Sequence, residues 1–192
     1  MPGAGEVWIV RHGETEWTVS KKHTGRTDIP LTPAGEAEAR ALAAVLDQHE
    51  FALVLTSPLQ RARRTAELAG FGDAKVDERL RELDYGDYEG RTTVEIRGER
   101  PDWFLWRDGT PGGESMEEVG RRADSVIAEI AGLDGDVLLF GHGHFSRVLG
   151  ARLLGLPPSE GSLLMLSPAS ISVIGSEHGQ RAVKAWNWQA EI

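Results

Sequence analysis

The sequence predicts an α/β fold in which buried strands alternate with helices along the chain. Three short apolar runs have the length and composition of buried strands, at 7–10, 52–56 and 137–140. Segments with apolar residues at helical spacing follow them. Closing strands, antiparallel at one edge of the sheet, are expected at 162–166, 170–175 and 181–186. Open α/β sheets bind ligands beyond the carboxyl ends of their strands, so the residues there are the first candidates for a site.

Length and composition limit what the protein is expected to do. The 192 residues are the length of one domain, so we expect residues 1–192 to fold as a single unit. There is no cysteine, which excludes disulfides, thiolate zinc sites and cysteine nucleophiles. A net charge of −9 argues against nucleic-acid binding. No stretch resembles a signal peptide or a membrane span, so we expect a cytoplasmic protein that does not bind a membrane.

The first predicted strand ends in a candidate binding site. Arg11, His12 and Gly13 follow the apolar run 7–10 directly. Arginine offers a permanently charged fork that matches phosphate. Histidine can act as a nucleophile, an acid, a base or a metal ligand, and glycine allows a ligand to approach the backbone. These residues alone also fit a solvated Arg–His pair, so their context must decide.

A loop and a helix are predicted after this strand. Residues 18–31 lack periodicity, which predicts a loop over the end of the first strand. Thr32 and Pro33 mark a helix start, because threonine is a good N-cap and proline suits the first helical position. The apolar stripe of this helix is expected at Ala37, Ala41, Leu42, Val45 and Leu46.

A second arginine is predicted at the end of the second strand. After 52–56, Ser57 and Pro58 repeat the cap signature, and a helix is expected over 59–69. Arg61 falls in its first turn, where unpaired N–H groups and the helix dipole favour anions. A solvated surface charge is the alternative interpretation of this arginine.

Glu82 is the candidate acid in an irregular segment. A short strand is expected near Val76, and residues 81–90 then mix acidic residues with glycines, which is typical of turns. Glu82 stands between Leu80 and Leu83, in a more apolar setting than its acidic neighbours. A partly desolvated carboxyl can act as a general acid.

Two helical segments precede the third strand. Residues 92–108 include Trp103 and Trp106, and they predict either a packed helical corner or an aromatic lid that shapes the substrate pocket. Residues 116–130 predict an amphipathic helix with an exposed charged face.

The third strand repeats the arrangement of the first. The run 137–140 leads to His142, which therefore meets a strand end as His12 does, and a helix is expected over 146–154. His142 and His144 are two positions apart, but neither a cysteine nor an H-E-x-x-H pattern supports a metal site. A Gly-rich nucleotide-binding loop is also absent from the sequence.

These strand ends together provide the parts of a phosphoryl-transfer site. Such a reaction needs a positioned nucleophile and charge around the phosphoryl oxygens. His12 would attack phosphorus, and Glu82 would protonate the leaving oxygen and later take a proton from water. The charge would come from Arg11, Arg61 and His142. This arrangement needs neither a metal nor another cofactor.

Four motifs stand in a characteristic order and spacing over nearly the whole chain. They are Arg11-His12-Gly13-Glu14-Thr15, Ser57-Pro58-Leu59-Gln60-Arg61-Ala62-Arg63-Arg64-Thr65-Ala66, Arg81-Glu82 through Tyr88-Glu89-Gly90, and Gly141-His142-Gly143. Together they resemble the histidine phosphatase superfamily, also called phosphoglycerate-mutase-like. The resemblance implies a three-layer α/β/α sandwich with a mostly parallel, mixed-edge central sheet.

The resemblance also implies a role for each residue of the site. His12 would be the phosphorylated nucleophile and Glu82 the proton donor. The implied substrate-binding residues are Arg11, Thr18, Thr24, Gly25, Arg61, His142 and Gly143. Members of the family often have asparagine at the position of Thr18, whose hydroxyl can still donate to phosphate.

The resemblance favours hydrolysis over mutase chemistry. Residues 11–32 and 141–156 look closest to the small acid-phosphatase and sedoheptulose-bisphosphatase-like branches, and the long insertion typical of mutases looks short here. We therefore expect a metal-independent phosphomonoesterase for small phosphorylated metabolites such as sugar phosphates, with a phosphohistidine on His12. The alternatives are a 2,3-bisphosphoglycerate-dependent phosphoglycerate mutase and a non-catalytic module that binds a phosphorylated ligand. An exposed sheet edge suggests a homodimer.

Overall fold

A six-stranded mixed sheet forms the centre of the computed structural model, which describes residues 5–190. Its strands are β1 (Val7–Arg11), β2 (Phe51–Thr56), β3 (Lys75–Val76), β4 (Asp136–Gly141), β5 (Ser170–Glu177) and β6 (Gln180–Gln189). They lie in the order β3-β2-β4-β1-β5-β6. The first four in this order are parallel, and the antiparallel pairings β1–β5 and β5–β6 complete the sheet. The predicted mostly parallel sheet with a mixed edge is confirmed.

Helices connect the strands. They are α1 (Glu16–Val19), α2 (Pro33–Ala41), α3 (Ala43–Leu46), α4 (Gln60–Leu68), α5 (Thr93–Glu99), α6 (Leu105–Asp108), α7 (Met116–Ile130) and α8 (Gly143–Leu153). A threonine or serine side chain caps α1, α2, α5 and α7. The Thr32 side chain caps α2 as predicted, by accepting the N–H of Gly35. Capping boxes begin α5 at Thr92 and α7 at Ser115. Among the described residues, none of the helices has the length and apolarity to cross a bilayer.

Alternation along β1 divides the core between two faces of the sheet. Val7 and Ile9 pack with residues of α7 and α8, whereas Trp8 and Val10 pack with residues of α3 and α4. Successive side chains of a strand point to opposite faces, so an apolar run of this kind must be covered on both sides. The resulting three-layer α/β/α sandwich confirms the predicted architecture.

One local prediction in the N-terminal half is wrong, and another is wrong at one position. Helix α4 begins at Gln60, after an N-cap at Leu59, so Ser57 does not cap it. In the predicted apolar stripe, Leu42 and Leu46 are buried and Ala41 and Val45 are half-buried, but Ala37 is exposed. The buried positions within α2 are Gly35 and Ala39. The contact face is shifted because α2 packs its backbone directly on the first loop at Gly35, where an added Cβ would lie 2.1 Å from a backbone oxygen.

Two local predictions in the C-terminal half are also wrong. The strand expected at 162–166 is absent, because a 3₁₀ segment over Pro158–Leu163 begins with Pro158 in its first turn and runs into that stretch. Helix α8 begins at Gly143, three residues earlier than expected. The helix therefore starts immediately after His142, and its first turn becomes part of the site.

Candidate active site

The pairing of β1 with β4 brings the two strand-end histidines together. The register places Arg11 opposite Gly141, and the N–H of His12 donates to the carbonyl oxygen of Gly141 at 3.0 Å. His12 and His142 therefore leave adjacent parallel strands at the same level. Their ring centroids are 5.3 Å apart, and the ring planes meet at 62°.

His12 is held as a neutral imidazole. Its Nδ1 lies 2.8 Å from the carbonyl oxygen of Gly13, which can only accept, so Nδ1 has the proton and Nε2 has the lone pair. Burial, followed by the charges of Arg61 and Arg11, holds the pKa of His12 well below its usual value. The unprotonated Nε2 therefore persists into the acid range.

Ser57 orients His142, a contact that the sequence did not predict. The Nε2 of His142 lies 2.7 Å from Ser57 Oγ, and this hydroxyl accepts the N–H of Leu59 at 3.3 Å. When the hydroxyl donates its proton to Nε2, the imidazole proton is on Nδ1, and this is the tautomer we assign. That Nδ1 is buried and has no partner. Burial, followed by the charge of Arg61, lowers the pKa of His142 well below its usual value.

Arg61 is fully buried, so the interpretation as a solvated surface charge is wrong. Its Nη1 donates to the carbonyl oxygen of Thr27 at 2.9 Å, and its Nη2 donates to those of Thr24 and Gly25 at 3.2 and 3.0 Å. The Nε atom is buried without a partner. The fork therefore fixes the side chain to the loop over residues 24–27 and leaves the Nε donor free.

Arg11, at the end of β1, is also fixed by a backbone carbonyl oxygen. Its Nη1 donates to the carbonyl oxygen of Leu166, and its Nε is buried without a partner. Burial lowers the pKa of Arg11, and the charge of Glu82 opposes this effect. Arg11, Arg61 and His142 thus each have a buried side-chain nitrogen without a partner, and the charges of both arginines act on His12. Buried donors are normally paired, so such a group is suited to bind the oxygens of an anion.

Glu82 joins the site to the start of helix α8. Its Oε1 accepts the N–H groups of Leu83 at 2.9 Å and Phe145 at 2.8 Å, and its Oε2 accepts that of His144 at 3.0 Å. The carboxylate therefore caps a helix whose own N-cap makes no side-chain bond. A Cβ on Gly143 would lie 3.3 Å from Arg11 Cζ and 3.5 Å from Glu82 Oε2, so glycine allows these groups to approach closely.

Thr18, Thr24 and Gly25 shape the loop around the site. The hydroxyl of Thr18 donates to the carbonyl oxygen of Thr15 at 2.8 Å, and that of Thr24 donates to the carbonyl oxygen of Lys22 at 3.1 Å. The N–H of Gly25 donates to both carboxylate oxygens of Glu89, at 2.9 and 3.0 Å. Where the sequence predicted direct contacts with phosphate, the structure shows donors that are used inside the loop.

A small cavity of about 170 Å³ opens beside His12 and Glu82. The other side chains that line it come from the first loop, residue 85, helix α8 and residue 166: Arg11, Thr18, Lys21, Lys22, His23, Thr24, Tyr85, Gly143, His144, Arg147 and Leu166. Arg61 and His142 are fully buried and do not line it. Within the part of the chain that the structure describes, no three side chains of metal-binding type come together.

The aromatic segment supports the cavity from behind. Trp103 is buried and donates its Nε1 proton to the carbonyl oxygen of Gly109 at 2.9 Å. Trp106 packs on His144, whose Nδ1 forms a hydrogen bond with the hydroxyl of Tyr85. Neither tryptophan lines the cavity, so the packed corner describes this segment and the aromatic lid does not.

Comparison with known proteins agrees with the fold. Residues 7–189 match the model of the histidine phosphatase superfamily, branch 1. The chain belongs to this superfamily of enzymes, as its motifs predicted.

Three relatives indicate where in the superfamily the chain lies. An acid phosphatase of Mycobacterium tuberculosis is 43% identical over 177 residues, which cover 90% of this chain and 87% of that protein. The sedoheptulose 1,7-bisphosphatase of Saccharomyces cerevisiae is 40% identical, over 77% of this chain and 67% of that one. The phosphoglycerate mutase-like GpmB of Photorhabdus laumondii is 34% identical, over 94% and 89%.

A solved structure shows the same fold over almost the whole chain. It is that of an open reading frame product from Mycobacterium tuberculosis, with a TM-score of 0.92 and 40% sequence identity. The match covers 97% of this chain and 99% of that one.

Proposed function

We propose that this protein is a metal-independent phosphomonoesterase that hydrolyses small phosphorylated metabolites through a phosphohistidine on His12. The observation that supports this most is the set of three buried nitrogen donors without partners, on Arg11, Arg61 and His142, together with an imidazole whose Nε2 is unprotonated. A phosphoryl group bound by these donors would face the nucleophile directly. The names of two relatives, an acid phosphatase and a sugar bisphosphatase, support small phosphate esters as substrates.

The reaction takes place in two displacements at phosphorus. The Nε2 of His12 forms a bond to phosphorus while the ester P–O bond breaks, and Glu82 protonates the leaving oxygen. A water molecule then attacks the phosphohistidine and gives its proton to Glu82, and inorganic phosphate leaves. The positive charges of Arg11 and Arg61 stabilise the equatorial oxygens in both steps, which is the larger part of catalysis in phosphoryl transfer.

Hydrolysis of p-nitrophenyl phosphate tests the reaction class. We expect turnover that EDTA does not abolish, because the cationic side chains supply the charge. We also expect His12→Ala to lose it while circular dichroism shows a folded protein. His178→Asn is a matched control, since His178 is exposed in the β5–β6 turn with φ 49°, which asparagine tolerates. Hydrolysis that persists in folded His12→Ala would show that the nucleophile is wrong.

Trapping of the intermediate tests the assignment of the nucleophile independently. Acid-quenched enzyme should lose its phosphoryl label, whereas alkaline quenching should preserve it on the peptide that contains His12. A label that maps to Ser57, or to a peptide without His12, would contradict the proposal.

Phosphoglycerate mutase activity is the second candidate, because GpmB is similar over most of both chains. The assay is 3-phosphoglycerate with a trace of 2,3-bisphosphoglycerate. We expect release of phosphate. Conversion to 2-phosphoglycerate without released phosphate would establish the mutase instead, and a folded protein that turns over no phosphate ester in a broad panel would favour a non-catalytic binding module.

A further inference from the structure

A β-bulge interrupts the pairing of the edge strand β6 with β5. The register shifts between Ile171 and Val173 of β5, so that residues 186 and 187 of β6 lie opposite Ser172 alone. Asn187 has φ 55°, a left-handed conformation that asparagine tolerates better than most residues, and its N–H donates to Ser172 Oγ at 3.0 Å. Bulges are frequent next to active sites, where they redirect a side chain, so the surroundings of this one are informative.

Side chains from the end of β6 hold the backbone of residues 165–168, which precede β5. Residues 164–167 belong to neither a helix nor a strand, so these side-chain bonds take the place of regular backbone pairing. The three bonds join Trp186 Nε1 to the carbonyl oxygen of Met165 at 2.6 Å, Asn187 Oδ1 to the N–H of Ser167 at 2.6 Å, and Gln189 Nε2 to the carbonyl oxygen of Pro168 at 3.1 Å.

The same segment contacts Arg11 and His12. The carbonyl oxygen of Leu166 accepts the Nη1 proton of Arg11, and the N–H of Ala169 donates to the carbonyl oxygen of His12 at 3.1 Å. Ala169 has φ 49°, which is unfavourable for a residue with a Cβ, and such conformations are often found at functional sites. Contacts therefore run from the edge strand through residues 165–169 to the phosphoryl site.

One peptide group connects Asn187 with Arg11. The peptide group between Leu166 and Ser167 binds Arg11 through its carbonyl oxygen and Asn187 through its N–H. Because a trans peptide group is planar and its N–H and C=O point in opposite directions, a bond that fixes one of them also fixes the direction of the other.

Arg11 depends on this peptide group more than Arg61 depends on any one neighbour. The Arg61 fork has three carbonyl acceptors, whereas within residues 5–190 the side chain of Arg11 forms a hydrogen bond to Leu166 alone. Leu166 also lines the cavity beside His12. A rotation of the peptide group would therefore displace the guanidinium of Arg11.

We propose that Asn187 is a positioning residue for Arg11, because it fixes the peptide group that directs the guanidinium towards the phosphoryl oxygens. This inference rests on the proposed function for the catalytic part played by Arg11. Asn187 is not among the residues that line the cavity, so it acts through the backbone at Ser167. Its amide oxygen is the acceptor that matters, and a substitution that keeps an oxygen there should keep the effect.

Two substitutions that both tolerate the left-handed backbone at residue 187 test the inference. Asn187→Gly keeps the conformation and removes the acceptor, whereas Asn187→Asp keeps both. With p-nitrophenyl phosphate, we expect Asn187→Gly to lower kcat/KM roughly three- to tenfold, the size of one hydrogen bond, and Asn187→Asp to stay within about twofold of the wild type. Gln180→Ala is the matched control, since Gln180 is exposed at the other end of β6, and it should leave kcat/KM unchanged.

A double-mutant cycle with Arg11→Ala separates positioning of Arg11 from a general loss of structure. In the Arg11→Ala background, Asn187→Gly should have no further effect on kcat/KM, because the group that it positions is gone. Calorimetric titration with inorganic phosphate provides a second measurement that needs no turnover. The affinity for phosphate should fall in Asn187→Gly, return in Asn187→Asp and not depend on residue 187 once Arg11 is removed.

The inference would be overturned by an unchanged kcat/KM in folded Asn187→Gly, by an equal loss in both backgrounds, or by an Asn187→Asp variant as impaired as Asn187→Gly. If circular dichroism shows that Asn187→Gly does not fold, Gln189→Ala decides instead. Gln189 is exposed, and loss of its bond to Pro168 should lower kcat/KM roughly two- to threefold with Arg11 present and not in its absence; an unchanged value would likewise overturn the inference. A wild-type protein that binds phosphate but hydrolyses no ester would overturn the proposed function alone.

Discussion

Glu89 should affect catalysis through the loop that lies between it and Arg61. The carboxylate accepts the N–H groups of Gly25 and, at 3.1 Å, Thr27. The carbonyl oxygens of the same two residues accept the Nη protons of Arg61. The loop is thus bound from both sides, and its position determines where the free Nε of Arg61 lies. We expect Glu89→Gln to displace this donor although residue 89 is not among those lining the cavity.

The size of the effect follows from the bonds that change. Glutamine keeps one acceptor oxygen and replaces the other with an NH₂ group that faces a backbone donor. Loss of a hydrogen bond to a charged group costs about 1.5–3 kcal/mol. If misplacement of Arg61 removes about half of this free energy from the stabilisation of the transition state, kcat falls roughly three- to tenfold, at about 1.4 kcal/mol per factor of ten. Arg61→Ala removes the preorganised donor completely and should lower kcat roughly 10²- to 10³-fold, which is the upper limit for the effect of Glu89→Gln.

Steady-state kinetics with p-nitrophenyl phosphate measure this effect. We expect kcat to fall while KM changes little, because the oriented donor matters most in the transition state. Glu118→Gln is a matched control, since Glu118 caps α7 by accepting the N–H of Ser115 at 2.8 Å. In a double-mutant cycle, Glu89→Gln should add little to Arg61→Ala. Full additivity, or an unchanged kcat, would refute the coupling through the loop.

Three further predictions concern the acid, the helix start and the pH dependence of stability. Glu82→Gln should lower kcat by roughly 10²–10⁴ for alkyl phosphates and by less for p-nitrophenyl phosphate, whose leaving group needs no proton; equal losses would exclude Glu82 as the acid. Gly143→Ala should lower kcat/KM about tenfold, because the new Cβ would lie 3.3 Å from Arg11 Cζ. Gly98→Ala in α5, with nothing within 4 Å of its Cβ, should leave kcat/KM unchanged. Burial lowers the pKa of His23 to about 4, so the unfolded chain binds a proton below about pH 6.5 that the folded protein does not, and stability falls as the pH drops towards 4. Urea unfolding at several pH values gives the free energy of unfolding as a function of pH. For His23→Phe, this free energy should fall less steeply towards acid pH, by up to about 1.4 kcal/mol per pH unit. The same pH dependence as in the wild type would contradict this assignment.

The parts of the site that follow strands could be predicted from the sequence, because their position depends on local pattern. Apolar runs of four residues mark the ends of β1 and β4, and the parallel register then brings Arg11 and His142 to one edge. The burial of Arg61 could not be predicted in this way. Its partners are backbone carbonyls more than 30 residues earlier in the chain, and no side-chain pattern encodes them.

Ser57 and Glu82 have functions in the structure that the local sequence did not indicate. Ser57 before Pro58 has the sequence signature of an N-cap, yet its hydroxyl binds a histidine 85 residues away. Glu82 was identified as an acid, but its function as the cap of α8 depends on a contact across 63 residues. Such assignments require the tertiary structure, because the local sequence is compatible with both functions.

The backbone register between β1 and β4 has a consequence for how substrate preference can change. The gap between the two imidazoles is determined by hydrogen bonds in the middle of the sheet, where Arg11 lies opposite Gly141. The lining of the cavity beside them comes in large part from residues 18–24 instead. Substitutions or insertions there can therefore alter which ester is accepted while the reacting centre keeps its dimensions, whereas a deletion of one residue in either central strand would separate the two rings.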